Sequence, residues 1–333
     1  SYPLSGEWYF ALDPSDVGQD EGWAEPSFDI SGWAAVTIPH TWGTMADHAD
    51  YEGIAWYRRE FTIPAEAQDA HLRLRFDAVF YLAHVWLNGE YLGQHEGGYT
   101  PFEFDVSGIA QPGAENIVAV RVDNARTMDR IPATLRRDWS YDWWNWGGIV
   151  RDVSLESTSR AYIASQKVVA VPHLTGVAQA DRATITATLT VSNRSGGRME
   201  GTIIGDVLDA TGLSVLDGQP AAPVSLTPGD TTEIELVVEV VEPNLWHFDH
   251  PHLYRWSAWL LGPDGELLHK DETTFGIRLV DLKDARFYLN GEPMRLVGLT
   301  RHADSPWHGL AETVTMMTRD YDDLKTLNMV FSR

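Results

Sequence analysis

Short runs in which apolar and polar residues alternate, cut at close intervals by Gly, Pro or Asn-Gly, dominate this chain and confine most of it to sheet structure. Leu72, Leu74 and Phe76 alternate with Arg73 and Arg75, and Val118, Val120 and Val122 alternate with Ala119 and Arg121. Successive side chains of a strand point to opposite faces, so a period of two describes strands with one face in a core. His84-Val85-Trp86-Leu87 runs into Asn88-Gly89 and out through Glu90-Tyr91-Leu92. Both central positions of a type I′ turn need positive φ, which Asn and Gly tolerate, so this segment predicts a hairpin. Up to about Ser157 no long window has helical periodicity, and the region reads as an all-β sandwich.

A second block starts near Arg160. Ile185, Ala187, Leu189 and Val191 share one face with Thr184, Thr186, Thr188 and Thr190 on the other, Ile234 and Leu236 alternate with Glu233 and Glu235, and Trp256, Ala258 and Leu260 alternate again. These predict the strands of a two-sheet sandwich of immunoglobulin-like size. After Phe275-Gly276 the texture changes. A second Asn-Gly turn stands at Asn290-Gly291, Met294 to Leu299 reads as a strand, and from Ala311 to Leu327 the residues Val314, Met317, Tyr321, Leu324 and Leu327 recur at helical spacing. Met329-Val330-Phe331 follows as a further strand, so the order strand, helix, strand opens a parallel α/β architecture.

With 333 residues the chain has room for two or three domains. Its 25 Lys and Arg stand against 48 Asp and Glu, a net charge of −23 that repels phosphate backbones and anionic bilayers, so nucleic acid and membrane surfaces are not expected partners. Cysteine is absent, which excludes a disulfide framework and thiolate chemistry and leaves the compartment open between cytoplasmic and secreted or periplasmic. No apolar run approaches the roughly 20 residues of a membrane span, and Ser1-Tyr2-Pro3-Leu4 has neither the basic nor the apolar part of a signal peptide. Fourteen Trp are unusual, and Trp139, Trp143, Trp144 and Trp146 fall in one short segment. Beside Asp and Asn such a cluster fits a sugar-binding wall, because pyranose C–H faces stack on indoles while hydroxyls need polar partners; aromatic filling of a sandwich core is the alternative.

Several segments, in order, resemble glycoside hydrolase family 2, which contains β-galactosidases, β-glucuronidases and β-mannosidases. Ile38-Pro39-His40-Thr41-Trp42 and Trp56-Tyr57-Arg58-Arg59-Glu60-Phe61 are similar to the start of its jelly-roll sugar-binding domain, and Val85-Trp86-Leu87-Asn88-Gly89 with Gly97-Gly98-Tyr99-Thr100-Pro101-Phe102 to its central hairpin. Asp142-Trp143-Trp144-Asn145-Trp146-Gly147-Gly148-Ile149-Val150-Arg151-Asp152-Val153 resembles its most recognisable sandwich motif. Asn244-Leu245-Trp246 with Leu253-Tyr254 resembles the end of its middle domain. Phe275-Gly276-Ile277-Arg278, Phe287 to Pro293 and Gly298-Leu299-Thr300-Arg301-His302 resemble the lead-in and first strand of its catalytic barrel. The resemblance implies a jelly-roll domain over 1–158, an immunoglobulin-like β-sandwich over 159–276 and, over 277–333, the incomplete beginning of a (β/α)8 TIM barrel.

The resemblance also implies retaining hydrolysis of a terminal β-linked sugar by two carboxyl groups about 5 Å apart. A barrel needs about 250 residues and far fewer follow Gly276. The family's acid/base Glu follows an Asn, and no Asn-Glu dipeptide occurs. No catalytic residue is therefore assigned, no metal ligand set and no cofactor are expected, and the chain reads as the N-terminal portion of a longer exo-acting enzyme, inactive by itself. What carries over is substrate binding. Asp142 matches a sandwich aspartate that reaches the sugar pocket, with a loop-holding role as the alternative; Asn145 either assists it or caps the next turn. His302 matches a histidine at the end of the first barrel strand, with a structural role as the alternative, and Arg301 is either a substrate contact or the charge partner of a barrel carboxylate. The Trp143–Gly148 cluster is closer to the glucuronidase pattern than to that of the large galactosidases. Carbohydrate is the expected partner, a homo-oligomer is possible, and His247, His250 and His252 read as solvated loop residues. The competing expectation is a non-catalytic carbohydrate-binding or adhesion protein of two β-sandwiches, which gives no role to the segment from Phe275 to Arg333.

Overall fold

The computed structural model describes residues 1–130 and 144–333, and the chain divides into two compact units: Ser1–Ser157 with Arg301–Asp323, and Thr158–Thr300 with Leu324–Arg333. In the first unit a six-stranded antiparallel sheet runs from edge to edge as Ala34–Ile38, Gly6–Leu12, Ile54–Thr62, Glu115–Asp123, Leu82–Leu87 and Glu90–Glu96. A four-stranded sheet, ordered Tyr2–Pro3, Val153–Thr158, His71–Phe76 and Phe102–Asp105, supplies the other layer. Leu72, Leu74 and Phe76 from this layer pack with Trp8, Phe10, Tyr57, Val118, Val120 and Val122 in one core, while Arg73 and Arg75 point outward to Glu103 and Asp77 at 2.9 and 3.0 Å. Each buried Leu, Val or Phe is worth roughly 1.5–3 kcal/mol. That gain fixes the register, since a slip of one residue would put the arginines inside.

The six-stranded sheet is also covered on its other face. Ala119, Trp56 and Trp86 form a second buried cluster with Trp23 and Trp33 at its margin, and the rings of Trp56 and Trp86 stack with centroids 5.1 Å apart. Most polar atoms of this layer are paired, as buried polar groups generally are, Arg58 Nε being an exception. Buried Asp13 accepts the Trp56 indole N–H at 3.1 Å and the backbone N–H groups of Val17 and Gly18 at 2.9 and 2.8 Å. Buried Arg58 donates to the carbonyls of Trp23, Glu25 and Pro26, and Arg59 donates to those of Leu4 and Ser5. The two arginines of the Trp56–Phe61 motif thus fasten loops and the N-terminal segment onto the sheet.

The second unit packs a three-stranded sheet, Ala161–Gly176, Gln179–Asn193 and Thr231–Val241, with a four-stranded one ordered Ala221–Leu226, Met199–Leu208, Tyr254–Leu261 and Leu267–Phe275. Ala183, Ile185, Ala187, Leu189 and Val191 are wholly buried with Trp256, the faces that period-two alternation predicts. The molecule is mainly β, with two sandwiches in the expected order. No helix among the described residues is long and apolar enough to cross a membrane.

The beginning of a barrel is not visible as such. Residues after Gly276 supply an antiparallel meander of Val280–Lys283, Arg286–Leu289 and Glu292–Met294, the helix Val314–Thr326, and a parallel pairing of only two residues between Gly298–Leu299 and Phe331–Ser332. The expected strand Met294 to Leu299 is divided between Glu292–Met294 and Gly298–Leu299. A parallel sheet is stable when both faces are covered. Here no helix residue is buried, and Leu296, Val297, Leu299 and Phe331 stay exposed.

Both Asn-Gly turns form as read, with φ of 54° and 84° at Asn88-Gly89 and 52° and 82° at Asn290-Gly291. Their asparagines do more than tolerate the left-handed region. The Asn88 amide accepts from the Ile117 N–H and donates to Asn116, and the Asn290 amide, 1% exposed, accepts from the Leu279 N–H at 2.9 Å and donates to the Trp246 carbonyl at 3.0 Å. Asn290→Gly keeps the backbone freedom but loses both bonds and should cost about 1–3 kcal/mol. Asn290→Ala adds left-handed strain and should cost about 1 kcal/mol more. Urea unfolding of the two variants checks the order.

Candidate functional site

Two adjacent glycines position the segment that carries the expected aromatic wall. A Cβ on Gly147 would lie 2.0 Å from Cζ2 of Trp42, and one on Gly148, where φ is +146°, 2.2 Å from the carbonyl oxygen of His40. Only a chain without side chains there can pass so close. The approach is stitched by backbone bonds from the Trp42 N–H to the Gly147 carbonyl at 3.1 Å and from the His40 N–H to the Ile149 carbonyl at 2.7 Å, while Gly148–Ile149 pairs with Val79–Phe80.

Asp142, the first expected sugar contact, lies outside the described residues, as do Trp139 and Trp143. Asn145 is buried and engaged: its Nδ2 donates to the Asn124 carbonyl at 2.8 Å, and Asn124 Nδ2 donates back to its carbonyl at 3.1 Å. This reciprocal pair anchors the loop. Trp146 is 8% exposed and Trp144 51%, with centroids 6.4 Å apart. The Trp144 indole N–H donates to the Ala49 carbonyl at 3.3 Å, which leaves much of its ring open. Trp146 Nε1 donates to Asp304 Oδ2 at 2.9 Å.

The last bond joins the aromatic segment to residues far along the sequence. Arg301–Leu310 belongs to the same compact unit, and Leu310 packs onto Ala78, Phe80 and Val150. His302 is exposed, and its carbonyl accepts from Arg301 Nη1 at 3.1 Å. Arg301 is committed to protein partners. Its Nη2 lies 2.7 Å from both Glu312 and Asp320, its Nε bonds Asp320 at 2.9 Å, and the guanidinium lies over the ring of Tyr321. Burial works against its charge, yet the two carboxylates raise its pKa above the usual value. Asp304, the partner of Trp146, is absent from the sequence reading. No periodicity links residues 158 positions apart; the one available signal is its place two residues after His302.

Around this junction the groups suit hydroxyl-rich ligands: a half-exposed indole, the exposed His302, and Tyr99, whose phenol is pushed up by burial and by the charge of Asp304. Indole faces stack on sugar C–H faces while polar groups serve the hydroxyls. Two open clefts lie in the second unit. One of about 510 Å³ is lined by Asn244, His252, Tyr254 and Arg255, and one of about 490 Å³ by His247, Asp249 and His250. His247 Nδ1 accepts the Asp249 N–H at 3.1 Å, and Asp249 pairs with Lys325. Among the described residues, no three His, Asp or Glu side chains converge to hold a metal ion.

His40 sits under the junction, its Nδ1 2.8 Å from the Tyr57 hydroxyl and its ring edge-on to Phe10. Burial, with a smaller contribution from His48, lowers its pKa to about 4. The folded state therefore binds fewer protons than the unfolded chain between about pH 6.5 and 4. Stability from this group is complete above that window and is lost as pH falls through it. Thermal unfolding should show Tm falling over this range, with a smaller fall in His40→Gln. Gly148→Ala should destabilise by about 1–3 kcal/mol through backbone strain, before the contact with His40 is counted.

The chain is similar to known proteins. The model described as "Glycosyl hydrolases family 2, sugar binding domain" matches residues 2–159, and that described as "Glycosyl hydrolases family 2" matches residues 162–278. A β-galactosidase of Thermoanaerobacter pseudethanolicus is 32% identical over 304 residues, covering 90% of this chain and 39% of that protein. A β-glucuronidase of Formosa agariphila is 25% identical over 342 residues, covering 96% and 34%. The solved structure of Bacteroides uniformis β-glucuronidase 2, covalently bound to cyclophellitol-6-carboxylate aziridine, superposes with a TM-score of 0.87 at 27% identity, covering 99% of this chain and 39% of that one. The chain thus spans between a third and two fifths of the length of these relatives.

Proposed function

This chain belongs to glycosyl hydrolases family 2, and from that membership we propose that it is the substrate-facing part of an exo-acting retaining β-glycosidase whose catalytic carboxylates lie in a barrel outside these residues. The observation that carries the reading is the match of both family models, in order, over residues 2–278. Carbohydrate is the proposed partner. A retaining enzyme passes through a covalent glycosyl intermediate, and the covalent attachment of an aziridine to the Bacteroides uniformis relative supports that course. The 6-carboxylate of that compound supports a β-glucuronide over a β-galactoside as substrate, in line with the Trp143–Gly148 pattern. The strand Gly298–Leu299, the helix Val314–Thr326 and the strand Phe331–Ser332 are read as the first unit of the barrel. Their exposed Leu296, Val297, Leu299 and Phe331 count against a self-sufficient binding protein, which would leave this apolar surface in water.

In this reading Asp142 and His302 touch the terminal sugar, while Asn145 and Arg301 act through the loops they hold. A panel of aryl β-glycosides tested on the full-length protein should give turnover of the β-glucuronide above that of the β-galactoside. No turnover of any of them would overturn the reading. Asp142→Ala and His302→Ala should each lower kcat/KM about tenfold to a hundredfold, the equivalent of one charge-assisted hydrogen bond. Unchanged kinetics would remove that residue from the site.

A further inference from the structure

The exposed ring of His302 rises from a backbone that is held on both sides. On one side Arg301 spends its guanidinium on Glu312, Asp320 and the His302 carbonyl. On the other, two residues later, Asp304 accepts the Trp146 indole N–H at 2.9 Å. Trp146 itself has little freedom. A Cβ added at Gly43 or at Gly309 would lie 2.9 or 2.8 Å from its Cε3, so the ring is seated between two backbones that need glycine to come so near. At Gly309 φ is +55°, and Ser305 and Gly309 exchange backbone hydrogen bonds at 3.1 and 2.8 Å, which closes the loop after Asp304 into a tight turn. An indole offers one donor and no acceptor. In a seat this narrow the direction of that donor is set by packing, and Asp304 is where it points.

We propose that the Trp146–Asp304 hydrogen bond is a positioning latch: it sets the His302-Ala303-Asp304 turn on the sandwich so that the His302 ring stands at a fixed distance from the aromatic wall when a sugar is bound. Asp304 and Trp146 are positioning residues, acting on substrate through His302 and Trp144. This role rests on the reading of the chain as the sugar-facing part of a glycosidase. The physical requirement is general: a bound group must be held to a fraction of an ångström, and a displacement of about 1 Å can cost about a hundredfold in rate. A side chain at the tip of a turn meets that requirement only if the turn is fixed at both ends. Arg301 supplies one end and Asp304 the other.

The test uses the full-length enzyme and its best aryl β-glycoside, with kcat, KM and Tm measured for Trp146→Phe, Asp304→Ala, Asp304→Asn and the double variant Trp146→Phe/Asp304→Ala. Trp146→Phe keeps an aromatic ring in the seat but removes the donor together with part of the indole's bulk, whereas Asp304→Ala leaves the indole whole. It and Asp304→Ala should each lower kcat/KM about tenfold to a hundredfold, and the double variant should fall no further than the worse single one, because both remove the same bond. Asp304→Asn, which keeps an oxygen for the indole N–H, should lose less than Asp304→Ala. A merely structural bond would lower Tm while leaving kcat/KM of the folded enzyme unchanged, and that result overturns the latch, as do losses that multiply in the double variant. If Asp304→Ala fails to fold, Trp146→Phe against Asp304→Asn decides: equal losses, or none in Trp146→Phe, overturn it. A wild-type enzyme inactive on every aryl glycoside overturns the glycosidase reading and the latch with it, whereas an active enzyme indifferent to Trp146→Phe overturns the latch alone.

Discussion

The close passage of the backbone at Gly147 and Gly148 beneath Trp42 and the His40 carbonyl is the constraint from which the candidate site follows. Trp42 is wholly buried and His40 is tied to buried Tyr57, so neither can yield. The segment that crosses them takes its height from the core. Asn145 is then locked to Asn124 on one side of the crossing, and Ile149 enters the sandwich core on the other. Between these anchors Trp146 has a single seat, and its indole N–H is aimed at Asp304. A placement inherited from rigid packing costs nothing at the moment a ligand binds, which is the use of preorganisation.

The tryptophans divide along the same lines. Trp8, Trp42, Trp56 and Trp256 are wholly buried, and Trp86 and Trp146 nearly so. Among the described residues only Trp144 and Trp307, at 51% and 78%, stand among the exposed large apolar side chains. Half of the described tryptophans are core material, because large flat rings fill wide two-sheet interiors with few residues. Charge is divided in a similar way. Arg58, Arg59 and Arg301 are bound to carbonyls and carboxylates of the chain itself and hold loops in place. The surplus of carboxylates lies elsewhere and sets the acidic field that any anionic substrate must meet locally reversed.

Much of the fold is legible in sequence because strand burial has a short period. The alternation at 72–76 and 183–191 gives the buried faces residue by residue, whereas at 118–122 both faces are buried, and both Asn-Gly pairs give their turns. The helix at 314–326 follows its apolar spacing, although that spacing found no core: a periodic pattern states which face would be covered, not that anything covers it. The strand expected from Met294 to Leu299 broke in two because a parallel strand without lateral neighbours has too few partners to stay regular.

By itself the sequence determined the family, the order of the two sandwiches, and the residues His302 and Arg301 as members of one local group. These are carried by patterns within a few residues of one another. Tertiary structure alone decided that Asn145 is an anchor bonded to Asn124, that Arg301 is consumed by Glu312 and Asp320, and that Trp146 meets Asp304. Each of these contacts joins residues with no shared period. It exists only because tertiary packing fixes where distant parts of the chain come to lie.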